Sequence, residues 1–200
     1  LKFIARLGSG MEIIDVPYAK SKGITAINSP EGNRNAVAEH AIGMLLCLSN
    51  QLYKANTEVK NFIWKREENR GFELGGKTIG IIGLGKTGET MAKKLSSWQL
   101  NILSYDKYRA DYGPELSFVS RVNLEDILNE ADIITLHLPL TQETKYLVDK
   151  NFLQKCRKKP IIINTSRGEV VKTEDLILAI KENLISGACL DVFENEKVET

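Results

Sequence analysis

Cysteine is scarce in this chain: Cys47, Cys156 and Cys189 are far apart and odd in number. No pair has metal-ligand spacing, so the expectation is reduced thiols in a cytoplasmic protein without a metal centre. Long apolar runs are missing too. None reaches the roughly 18 residues that span a bilayer, and the opening LKFIARLGSG is no signal peptide, so no membrane partner is expected. Charge of one sign is absent: the net value is +1, which offers no electrostatic case for nucleic acid. Histidine is limited to His40 and His137. There is no initiator methionine, no internal repeat and no low-complexity segment, and the chain opens in a strand-like run, as a piece of a longer protein would. What is present is ordinary for a globular protein, 42% hydrophobic and 26% charged residues. The length supports one well-buried domain and part of a second.

From about residue 75 the β-branched runs KTIGIIG, NILSYD, ADIITLHL, PIIINT and SGACLDVF alternate with helical patterns. That alternation predicts βαβ units and a doubly wound parallel sheet of Rossmann type, an α/β fold. The runs are near-continuously apolar, as in strands covered on both faces. Among the helices are GETMAKKLSSW, then LEDILNEA capped by Asn123, then EDLILAIKEN capped by Thr173, with acids at their positive ends. Two earlier strand candidates, LKFIARLG and GITAINS, flank a helical EIIDVPYAKSK. Residues 1–30 are therefore assigned to another domain and residues 31–200 to the main one. NAVAEHAIGMLLCLSNQLYKAN reads as one helix, apolar on most of its circumference and expected to be buried on several sides at an inter-domain or subunit contact. KREENRG reads as a surface turn.

The stretch KTIGIIGLGKTGET, residues 77–90, fits two phosphate-binding patterns. From Gly80 it is G-x-x-x-x-G-K-T, a P-loop; from Gly83 it is G-x-G-x-x-G, a dinucleotide fingerprint. A P-loop wraps phosphate with consecutive backbone N–H groups, yet Ile81 and Ile82 belong to an apolar strand. In the second register Gly83 makes the tight turn, Gly85 admits the pyrophosphate, and Gly88 lets the helix pack on the strand. The second strand then ends in SYDKY, which places Asp106 where an acid binds the adenosine ribose. A carboxylate there repels the extra phosphate of NADP, so NAD is the expected cofactor. The bland alternative for Asp106 is a solvated strand-end acid.

Ligands of such sheets bind at the carboxyl ends of the strands, where HLPLTQET, NTSRGE and LDVFENE supply polar groups. Arg167 can face a carboxylate bidentately, or be a surface loop arginine. Asp191 can accept from a nicotinamide amide, or cap a turn.

The order ARLGSGMEIID, PEGNRNAVAEH, ELGGKTIGIIGLGKTG, SYDKY, ADIITLHLPLTQETKYLV, IIINTSRGEVV and GACLDVFENE resembles the NAD-dependent D-2-hydroxyacid dehydrogenases over essentially the whole chain, most nearly their phosphoglycerate-oxidising branch. The resemblance implies that residues 1–30 end a flavodoxin-like substrate domain. It implies that Arg167 holds the substrate carboxylate and carbonyl oxygen, and that Glu196, with Glu194 as competitor, pairs with a catalytic histidine. Ser9 would lie near cofactor and substrate, Lys86 and Thr87 over the pyrophosphate, and Leu138 and Pro139 at the cofactor edge. Thr165, Ser166 and Asp191 would line the nicotinamide side. The substrate would be a 2-hydroxy or 2-oxo acid, with 3-phosphoglycerate first and glyoxylate, hydroxypyruvate or lactate-type acids open. The family is commonly a homodimer through this domain.

One feature departs from the family pattern. Its acid–base histidine comes some twenty-odd residues after the glutamate, beyond Thr200. His40 reads instead as a helix-packing residue and His137 as a strand-end residue near the cofactor. The expectation is a fragment that binds NAD and turns over little. The alternatives are a non-catalytic NAD-sensing module of the same fold, and a methyltransferase on a similar sheet. The latter leaves NTSRG and the GSG turn unexplained.

Overall fold

The computed structural model describes residues 1–8, 10–11 and 13–196. Its first unit is small. Strand β1 (Phe3–Arg6) pairs in parallel with β2 (Thr25–Asn28) across helix α1 (Val16–Ser21). Helix α1 starts where the Asp15 carboxylate accepts from the Tyr18 N–H at 2.9 Å and Pro17 presets the first turn.

Helices α2 (Arg34–Ser49) and α3 (Leu52–Lys60) follow. They correct the expectation of one continuous helix. Gln51 adopts a left-handed conformation, φ 51°, which breaks the helical ladder between them. The apolar circumference of α2 is also only partly used: Ala38, Ala41 and Leu45 are fully buried, while Leu48 remains 36% exposed. The buried stripe faces the main sheet of the same chain and the helix that follows that sheet's first strand.

That sheet holds β3 (Thr78–Ile82), β4 (Asn101–Tyr105), β5 (Val119–Arg121), β6 (Ile133–Leu136), β7 (Ile161–Asn164) and β8 (Gly187–Leu190). All pairings are parallel, in the order β5-β4-β3-β6-β7-β8. Connecting helices are α4 (Lys86–Leu95), α5 (Leu124–Glu130), α6 (Lys150–Lys155) and α7 (Thr173–Lys181). Successive isoleucines of one strand go to opposite faces: Ile161 and Ile163 pack with Ala38, Leu45 and Met91, and Ile162 with Phe152 and Leu176. Strands buried on both faces explain the unbroken apolar runs.

Asn123 caps α5 as expected, in a reciprocal box with Asp126. Thr173 does not cap α7; it is the first helical residue, and its N–H donates to the Glu194 carboxylate at 2.6 Å. A remote acid takes the role that a local hydroxyl was expected to play.

Candidate functional site

The chain order reverses between β3 and β6, which opens a crevice at their carboxyl ends. The turn that leaves β3 is built from glycine for steric reasons. Gly83 holds φ +90°, and a Cβ there would stand 2.4 Å from the His137 carbonyl oxygen. A Cβ on Gly88 would stand 2.1 Å from the Gly83 carbonyl oxygen, so α4 can lie this close only with a bare backbone. Gly85, the N-cap of α4, faces open space and brings no capping side chain. The first N–H groups of α4 are thereby left to an outside acceptor, as a pyrophosphate site requires. Gly80 is mid-strand, with Ile127 where a Cβ would go, which disposes of the P-loop register.

Asp106 lies at the end of β4 and binds the same turn. One carboxylate oxygen accepts from the Leu84 N–H at 2.7 Å; the other accepts from Tyr108 and Arg109 N–H groups, both at 2.9 Å. Burial works to raise its pKa, but these three bonds and the Arg109 charge outweigh it and hold the carboxyl below its ordinary range. Asp106 is thus a fixed anion rather than a loosely solvated one. It lines a cleft of about 580 Å³ together with Gly83, Gly85, His137, Leu138 and Pro139.

Lys86 is exposed, and its ammonium pairs with Glu31 at 2.9 Å; Thr87 is half-buried beside it. His137 is bonded through Nε2 to the Thr135 hydroxyl at 3.0 Å, and burial pushes its pKa down to about 4. It is a neutral ring at pH 7.

A second group collects at the ends of β7 and β8, outside that cleft. Asn164, fully buried, shapes the NTSRG turn. Its amide donates to the Arg167 carbonyl at 2.9 Å, and its carbonyl accepts from the Ser166 N–H at 3.0 Å and hydroxyl at 2.8 Å. Sequence reasoning named its neighbours and missed it, because an asparagine ending an apolar strand looks like a mere terminator. Arg167 is half-buried and donates to the Ser166 carbonyl at 2.7 Å. The Thr165 hydroxyl oxygen is buried with no hydrogen-bond partner among the described residues.

The chain passes the NTSRG turn at very close range. A Cβ on Gly168 would stand 1.9 Å from the Phe193 carbonyl oxygen, so the arginine turn and the segment after β8 form one unit. In that segment Glu194 is occupied by α7, whereas Glu196 is exposed and accepts from the Phe193 N–H at 2.5 Å. Asp191 faces His40, Oδ1 to Nε2 3.2 Å, with both side chains largely exposed. His40 therefore projects from α2 toward the end of β8 and is not the buried packing residue expected. Ser9 lies outside the described residues.

A glycine turn into a helix N-terminus, an acid at the end of the next strand and this strand order together define a dinucleotide-binding Rossmann domain. The chain belongs to the D-isomer-specific 2-hydroxyacid dehydrogenase family, whose NAD-binding domain matches residues 42–200. Its cofactor is accordingly NAD.

Over 98% of its length the chain is 41% identical to a D-3-phosphoglycerate dehydrogenase of Synechocystis sp., spanning 35% of that protein. It is 39% identical to a glyoxylate reductase of Thermofilum pendens, of which it spans 59%. It superposes with a TM-score of 0.88 on D-lactate dehydrogenase of Aquifex aeolicus, a structure solved with NAD and lactic acid, at 32% identity, covering 98% of this chain and 59% of that one. The chain thus spans only part of the relatives it matches.

Proposed function

We propose that these residues form the cofactor-binding part of an oxidoreductase that moves hydride between a D-2-hydroxy acid and NAD, with 3-phosphoglycerate the first candidate substrate. The observation that carries the reading is the contact at Gly168. It fastens a turn bearing a guanidinium to a segment bearing the exposed Glu196 carboxylate, beside a cleft shaped for a dinucleotide. The bound dinucleotide supplies the hydride acceptor or donor. The first turn of α4, with Lys86 and Thr87, holds the pyrophosphate; Asp106 holds the adenosine ribose; Leu138 and Pro139 line the cofactor edge. Thr165, Ser166 and Asp191 line the nicotinamide side, and the unpartnered Thr165 hydroxyl supports this placement. Arg167 receives the substrate carboxylate in a bidentate pair and stabilises the carbonyl oxygen. Glu196 is assigned as the acid that orients the family's acid–base histidine, since Glu194 is spent on α7. Neither His137, neutral and bonded to Thr135, nor His40 is given that proton-transfer role.

In this reading residues 1–30 end the substrate domain, and the protein is cytoplasmic. A homodimer forms through this nucleotide-binding domain, with residues 36–46 of α2 contributing to the contact.

Thermal unfolding with titrated ligands tests the assignment. NAD at 100 times its dissociation constant should add about 2.7 kcal/mol of stability, and S-adenosylmethionine should add none. A 2-oxo acid should bind the NAD complex and lose at least tenfold in affinity in Arg167→Gln, about the size of a charge-assisted pair. No stabilisation by NAD, or equal oxo-acid binding by the variant, would overturn it.

A further inference from the structure

The segment after β4 carries a mixed message. Asp106 is followed by Lys107 and, two residues later, by Arg109. An acid at this strand end selects NAD, whereas a nearby cation accommodates the 2′-phosphate of NADP. Asp106 alone is a weakened discriminator, because three backbone N–H groups and the Arg109 charge already offset its anion. What becomes of the two cations therefore decides the matter.

Arg109 is committed within the protein. Its guanidinium donates to the Leu84 carbonyl at 2.8 Å and to Glu89 at 2.9 Å, and reaches the carbonyls of Asp111 and Tyr112. Lys107 is held differently. It is exposed on one wall of the cleft, and its ammonium crosses to Glu143, in the loop after β6 on the opposite wall, at 2.5 Å. The Tyr108 hydroxyl donates to the same Glu143 oxygen at 3.2 Å. All three residues line the cleft that Asp106 lines. Exposed ion pairs contribute little to stability, so the consequence of this one lies in its position.

We propose that Glu143 is a specificity-determining residue for the dinucleotide: it holds Lys107 away from the ribose 2′ position and adds a second negative charge to that of Asp106. The inference rests on the NAD reading of this cleft and deepens it. A 2′-phosphate, carrying about −1.5 to −2 charges, meets two carboxylates and finds both neighbouring cations engaged. NAD, with a neutral hydroxyl there, meets only acceptors. The Lys107 bond, reinforced by Tyr108, keeps the Glu143 carboxyl below its ordinary range, so the charge persists at neutral pH.

The test is the NADP-to-NAD affinity ratio, measured by calorimetry on the purified chain at low ionic strength. Glu143→Gln should raise the ratio about fivefold, the scale of one exposed charge pair. Glu143→Lys should raise it further, and Lys107→Ala combined with Glu143→Gln should return most of the gain. Matched melting temperatures establish that the variants are folded, which their exposed positions favour. A ratio unchanged in both Glu143 variants, or a gain that survives loss of Lys107, overturns the proposal. A wild-type chain that binds neither dinucleotide overturns the cofactor reading, and this inference with it.

Discussion

At the scale of single residues, polar side chains buried beside the sheet do the positioning. Asn164 makes three hydrogen bonds inside one turn. In Asn164→Ala the Ser166 N–H, the Ser166 hydroxyl and the Arg167 carbonyl lose their partner, and stranding buried groups costs about 1–3 kcal/mol. Urea unfolding should show that loss as a lower midpoint, with oxo-acid affinity falling alongside because Arg167 is no longer aimed. The placements legible in the sequence were those set by sterics or by spacing along the chain. Gly83 and Gly88 are required by close backbone approach, and Asp106 by its distance from the glycine turn. Asn164 and His40 were not legible, since their roles depend on partners from another turn or another element. Periodicity placed His40 on a helix without indicating which way it faces, and only the end of β8 reveals Asp191 opposite it.

At the scale of elements, apolar runs located every sheet strand except β5. That strand has three residues with only Val119 buried, too few to produce a signal, yet it completes the first half of the sheet. The break between α2 and α3 was hidden because Gln51 is an unusual residue to turn left-handed. The contact between the NTSRG turn and the segment after β8 was equally invisible, being set by distance across the sheet. It gives a sharp prediction. Gly168→Ala cannot be accommodated without moving Phe193 and Glu194. Oxo-acid binding to the NAD complex should therefore fall at least tenfold, roughly one charge-assisted pair, while the dissociation constant for NAD changes far less. Parallel titration of both ligands checks this. An equal loss for both would mean that the turn and the cleft are not separable.

At the scale of the whole molecule, the His137 imidazole links stability to pH. The folded pKa of His137 is pushed down to about 4 by burial, whereas the unfolded chain protonates it near 6.5. Between these values the unfolded state binds the extra proton, so acidification favours unfolding. The slope is at most about 1.4 kcal/mol per pH unit. Melting temperatures from pH 7 down to 4.5 should fall faster in the wild type than in His137→Gln, and parallel curves would show that the ring makes no such contribution.

The same sheet also constrains how the protein assembles. Among the described strands no hairpin exists, and each pairing must wait until the intervening chain, which carries an α-helix in every case but β4–β5, has closed a loop. Strand β3 has neighbours on both sides, β4 soon after it and β6 well downstream. The glycine turn at its end thus takes shape only once distant stretches have been gathered, which makes the ability to hold a nucleotide a late acquisition during folding.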